Sequence, residues 1–149
     1  MNLLQNVLLM SMFSFLIQYY LMSYIMINSV TNITNSLGKL YISIIMALSM
    51  AIVQVGMDNY MMKQVTWAYY PVLFILLLGF VTAYKRQLGI NEREYLKEMI
   101  EHHSMALLTS EEILHKTSND YVKKLASEII DKQTSEINYM NDLLTRYVF

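Results

Sequence analysis

The residues whose types and spacing could do chemistry fall between Met99 and Met140. His102 and His103, two of the three histidines, are adjacent, with Met99 one turn before them. Roughly thirty residues on come Gln133, Glu136 and Met140, at helical spacings of three and four that place them on one face. If the two segments are antiparallel helices turning near Thr117-Ser118, opposed residues have numbers summing to about 235. His102 then faces Gln133, Met99 faces Glu136 and Tyr95 faces Met140. Such a seam gathers imidazole, thioether, amide and carboxylate groups. Imidazole and thioether ligands suit copper, and thioether favours Cu(I). Neighbouring helical residues point about 100° apart, so one straight helix does not offer both histidines to one ion. One would be the ligand and the other a supporting or inter-subunit group. His103, which falls on the apolar stripe with Met99 and Ala106, is the expected buried group, and His102 should sit at the stripe's edge, nearer Gln133 and solvent. The bland alternative is a polar His/Gln/Glu layer that only fixes the register of a bundle.

Other constellations carry less. Glu112-Ile113-Leu114-His115 is a single E-x-x-H, whereas a di-iron bundle needs two copies and two further glutamates. His115 is accounted for by its place at a helix C-terminus. Met46, Met50 and Met57 share a helix face with Gln54, but methionine packs readily in apolar helices, and Gln54 reads as an interhelical hydrogen-bonding group. With no cysteine there is no disulfide framework and no thiolate site. A net charge of -1, with acids interspersed among the bases, excludes a nucleic-acid face. No Ser-His-Asp set, phosphate loop or acid/base carboxylate pair can be assembled, so the expectation is a protein that is not an enzyme.

The elements that must position the seam follow from charge and hydropathy. Between Met1 and Tyr84 only Lys39, Asp58 and Lys63 are charged, which divides the chain in two. Three apolar runs, 7–27, 40–57 and 67–84, predict three membrane spans within a domain 1–86. The first lacks a basic n-region and a cleavage site, and reads as a retained anchor. Asn28 to Gly38 is a polar turn segment, and Asp58 to Gln64 a short connection. Trp67, Tyr69, Tyr70 and Tyr84 suit interfacial anchoring.

The second domain, 87–149, reads as a helical hairpin. One helix runs from an Asn91 cap to about Lys116, with the stripe Leu96, Met99/Ile100, His103, Ala106/Leu107, Ser110, Ile113/Leu114. The other runs from about Asp120 to Tyr147, with the stripe Val122, Leu125/Ala126, Ile129, Gln133, Ile137, Met140, Leu144. A hairpin this small buries little by itself, so it should pair with a second copy or another membrane protein.

Met99-Ile100-Glu101-His102-His103-Ser104-Met105-Ala106, followed by Gln133-x-x-Glu136-x-x-x-Met140, resembles the domain-of-unknown-function family three hundred and five. Its hallmark is M-I-P-H-H-x-x-A, then Q-x-x-E-I-x-x-M. The resemblance covers Tyr95 to Leu144, and the layout of spans is similar to that of a three-span bacterial branch. It implies a ferritin-like helical bundle and, from members of the periplasmic CopM type, copper binding, with His102 and His103 matching the histidine pair and Gln133, Glu136 and Met140 the second motif. Glu101 stands where the family usually has proline, which should make the helix more continuous. Thr109 stands where many soluble members have methionine, which removes a thioether.

The sequence thus predicts an all-α integral membrane protein: three spans, then an extramembrane hairpin forming half of a four-helix bundle. Copper would sit among Met99, His102, His103, Gln133, Glu136 and Met140. The partners would be the bilayer and a second copy, with no nucleic acid. The resemblance to periplasmic members puts the hairpin outside the cytoplasm, although Lys39, Lys85 and Arg86 on the hairpin's side vote weakly the other way. The alternative is a non-catalytic assembly protein whose hairpin only oligomerises.

Overall fold

The computed structural model describes residues 2–62 and 66–146, and every regular element among them is helical. α1 (Leu3–Leu16) opens on a capping box. Asn2 Oδ1 accepts the Gln5 N–H at 2.9 Å, and Gln5 Oε1 accepts the Asn2 N–H at 3.1 Å. A π-helical stretch, Ile17–Met22, carries it into α2 (Ser23–Met26), giving one apolar helix of 24 residues. After a 3-10 turn at Val30–Asn32 come α3 (Leu37–Met62), α4 (Tyr69–Lys85), α5 (Glu92–Lys116) and α6 (Asp120–Arg146).

The expectation of three spans is met in part. Two helices, Leu3–Met26 and Leu37–Met62, are long and apolar enough to cross a membrane. α4 is apolar but has 17 residues, about 25 Å of rise against a hydrocarbon layer of roughly 30 Å. Pro71 limits it: the ring lacks an N–H and crowds the carbonyl four residues back, so the helix starts at Tyr69. Conversely, α3 overruns the expected 40–57 and takes in Asp58. That carboxylate accepts from Asn6 Nδ2 at 3.1 Å and from Gln54 Nε2 at 3.2 Å, so the helix passes it without an unpaired acid. Gln54 therefore bonds within its own helix, and Asn6 makes the interhelical bond. Lys63 and Gln64 of the expected connection, and Tyr147 at the expected end of the second hairpin helix, lie outside the described residues.

The chain forms two compact units, and the division is not a single cut near residue 86. One unit takes the chain to Leu21 and Gly38–Gly89, with a small core of Val7, Ala51, Val55 and Leu73. Two serines inside its apolar helices return their hydroxyls to the backbone, Ser43 to Lys39 and Ser49 to Ile45, each at 2.8 Å. Buried hydroxyls are satisfied in this way without a partner helix.

The other unit joins Met22–Leu37 to everything from Ile90 onward. Asn91 caps α5, its side chain accepting the Glu94 N–H at 3.0 Å, and Asn119 caps α6 through Tyr121 and Val122. α5 carries Glu92 and Glu94 in its first turn and His115 and Lys116 in its last, matching the helix dipole at both ends. The short Thr117–Asn119 connection makes α5 and α6 antiparallel. They close on Leu96, Ile100, Leu107, Ile137 and Met140, with Met99, Ile130, Leu143 and Leu144 at the margin. The buried stripe of α6 begins at Ala126 rather than Val122, because Val122 and Leu125 are exposed, as are Ile113 and Tyr121 nearby in sequence.

Candidate metal centre at the α5–α6 seam

The seam's polar layer is centred on His103. Its Nδ1 lies 3.2 Å from Glu136 Oε2, with the His103 side chain 19% and the Glu136 side chain 40% exposed. Nδ1 is a fully buried atom and makes no hydrogen bond. The same holds for Gln133 Oε1, three residues before Glu136 on the same face of α6. Buried polar atoms are nearly always satisfied, so two orphans on the facing sides of one seam call for an explanation. Met140 is 7% exposed, and Met99 packs at the edge of the same core. His102 is exposed.

The pairing differs from the expected register by about one turn. His103, the histidine expected to be buried, meets α6, but it is His103 rather than Met99 that stands against Glu136. Side chains on a helix lean toward its N-terminus. In an antiparallel pair the two leans run in opposite directions in space and bring together residues whose numbers sum to more than backbone opposition gives. The five donors placed on the seam from sequence therefore stay on it, and His102 falls on the flank.

Sequence reasoning missed a second polar stripe on α5. Glu94, Lys97, Glu101 and Ser104, spaced three, four and three, all engage the segment before α3. Glu101 is 6% exposed, and its carboxylate accepts the Thr34 N–H at 2.8 Å, the Asn35 N–H at 3.2 Å and the Ser23 hydroxyl at 3.1 Å. Asn35 adopts the left-handed conformation, φ 47°, which asparagine tolerates better than most residues. Thr34 Oγ1 also donates to the Lys97 carbonyl. Ser104, fully buried, donates to Asn28 Oδ1 at 2.7 Å and accepts the Asn28 N–H and the Asn32 amide, both at 3.2 Å. Glu94 Oε2 accepts the N–H of Leu37, the first residue of α3, at 2.6 Å, and Oε1 pairs with Lys97 at 2.7 Å. Burial pushes the Glu94 carboxyl upward, but the bond to Lys97, the Leu37 N–H and the charges of Lys97 and Arg93 together hold it below the ordinary value. The replacement of proline by Glu101 was the one visible hint of this stripe.

Among the described residues no group of three or more His, Cys, Asp or Glu could hold a metal. The seam presents one buried imidazole nitrogen, His103 Nδ1, with Met99 and Met140 packed along the same core.

Residues 86–146 match the model of the family described as Domain of unknown function (DUF305). An uncharacterized protein of Acanthamoeba polyphaga mimivirus is 32% identical over 139 residues, 93% of this chain and 90% of that protein. The chain belongs to this family. No solved structure matches. The family model covers the seam and stops short of the polar segment bound to Glu101. The similarity to the viral protein, by contrast, extends through most of the apolar half.

Proposed function

We propose that this member of the family is a membrane-anchored metal-binding protein that takes Cu(I) at the α5–α6 seam. His103 Nδ1 would be the nitrogen ligand and Met99 and Met140 the soft donors, with Gln133 and Glu136 flanking them and His102 outside. The observation that carries this reading is the pair of buried atoms that make no hydrogen bond, His103 Nδ1 and Gln133 Oε1, with the Glu136 carboxylate 3.2 Å from the first. The resemblance to copper-binding members of the CopM type supports the choice of ion. No catalytic step is part of the reading. Metal content of the purified full chain, with and without His103→Gln, tests it.

The reading includes three spans. Met22–Leu37 packs on α5 within one compact unit, so the two lie on the same face of a bilayer. α3 and α4 separate them in the chain; if α3 crosses, α4 must cross back. Tilt or local thinning accommodates its 17 residues. The resemblance to periplasmic members assigns that common face to the non-cytoplasmic side, against the weak pull of Lys39, Lys85 and Arg86.

A second reading rests on a different observation. Ile113, Tyr121, Val122 and Leu125 leave apolar side chains 37–88% exposed around the α5–α6 turn. Their burial against a second copy would complete a four-helix bundle and make the hairpin an assembly module. Light scattering or cross-linking of the full chain in detergent measures that state directly.

A further inference from the structure

Glu101 is, among the described residues, the only charged side chain that is buried, and the metal reading leaves it unused. Two successive backbone N–H groups, Thr34 and Asn35, converge on one of its carboxylate oxygens, and the Ser23 hydroxyl donates to the other. Paired N–H groups of this kind form a ready anion receptor, filled here from within the chain. Three residues on, Ser104 holds Asn28 and Asn32. Glu101 and His103 are two residues apart and so point about 200° apart around the helix. α5 is therefore gripped from opposite sides, by the Met22–Leu37 strap on one face and by α6 on the other.

We propose that Glu101 is a positioning residue. By holding the strap it fixes the roll of α5 about its own axis, and with it the direction in which His103 enters the seam. The scale of the effect follows from helix geometry. A side-chain tip about 5–6 Å from the axis moves by about 2 Å for a roll of roughly 20°. Metal–ligand bonds tolerate about 0.2 Å. Along the chain the strap, which includes α2, follows α1 and leads into α3. This inference deepens the proposed metal reading, but its test needs no metal.

The chain has no cysteine, so introduced thiols report cleanly on the full chain in lipid nanodiscs. Ile27→Cys, at a position 6% exposed in the strap, reports whether the strap is held. His103→Cys with Glu136→Cys, joined by a short bifunctional thiol reagent, reports the roll of α5. Introducing Glu101→Ala should speed labelling of Ile27→Cys at least tenfold and reduce the 103–136 cross-link severalfold. Glu101→Gln should leave both near wild type, because its amide oxygen still accepts the Thr34 and Asn35 N–H groups. A role confined to helix stability predicts no such loss, since alanine is the better helix former. Unchanged labelling in Glu101→Ala overturns the strap. Faster labelling with an undiminished cross-link overturns the coupling. A chain that binds no Cu(I) yet shows both effects sinks the metal reading alone and leaves the positioning role supported.

Discussion

Glu101 and His103 share one turn of α5 and serve opposite faces of it. The Glu101 carboxylate accepts the Thr34 N–H at 2.8 Å, while His103 Nδ1 lies 3.2 Å from Glu136 Oε2. A single helix thus carries two polar stripes, one turned to the strap and one to α6. The apolar side chains Leu96, Ile100 and Leu107 seal the seam.

Removing the Ser104 hydroxyl should loosen the strap locally. Ser104→Ala leaves the Asn28 N–H without its acceptor and Asn28 Oδ1 without the hydroxyl donor, while Asn32 Nδ2 keeps its bond to Asn28 Oδ1, at a cost of about 1–3 kcal/mol. Hydrogen exchange over residues 28–34 should accelerate, while exchange in α6 stays unchanged. Equal acceleration in both would mean that the serine supports the whole unit.

Ile100 has no exposed surface and stands at the centre of the hairpin core. Ile100→Ala should cost about 2–5 kcal/mol through lost burial and the cavity left behind. Thermal unfolding in detergent measures it. A loss below about 1 kcal/mol would mean that the two helices are held mainly by something other than this core.

The Glu94 attachment should be acid-sensitive, with a definite sign. Its carboxyl is held below the ordinary value of 4.5, so the ionised form is favoured by the fold. That stabilisation is fully present above the unfolded-state value and is lost as the pH falls through the lower folded-state value. The melting-temperature gap between wild type and Glu94→Gln should be constant near neutrality and close on acidification below about 4.5. A gap that widens in acid would contradict the assignment.

The proposed three-span arrangement predicts which positions share a membrane face. Thr31 and Ser118 are exposed, as is Tyr60, toward the end of α3. Single cysteines at positions 31 and 118 should react with an impermeant reagent from one side of sealed vesicles, and a cysteine at position 60 from the other. Labelling of 31 and 118 from opposite sides would contradict both the strap and the three-span reading.

Much of this architecture is legible in the sequence because its signals are local. The Asn91 cap, the Thr117–Asn119 turn and the Leu96–Ile100–Leu107 stripe each follow from residue type and spacing. The register of the seam is not local. It depends on the lean of His103 and Glu136 along antiparallel axes, which displaces the pairing by about a turn from simple backbone opposition. Span lengths escaped for a similar reason. Asp58 reads as the start of a loop until Asn6, fifty-two residues away, supplies its hydrogen bond. The strap was the least visible feature. The Asn/Ser/Thr run from Asn28 reads as an ordinary loop, and nothing within it names Glu101 and Ser104 as its receptors.

The central claim is a Cu(I) site that uses His103 and not His102. A competitive Cu(I) titration of the full chain, its His102→Gln variant and its His103→Gln variant tests it most directly. The account predicts that His102→Gln binds within about twofold of wild type, while His103→Gln loses at least tenfold in affinity, on the order of 1.4 kcal/mol. Equal affinities for all three proteins, or a loss confined to His102→Gln, would contradict it.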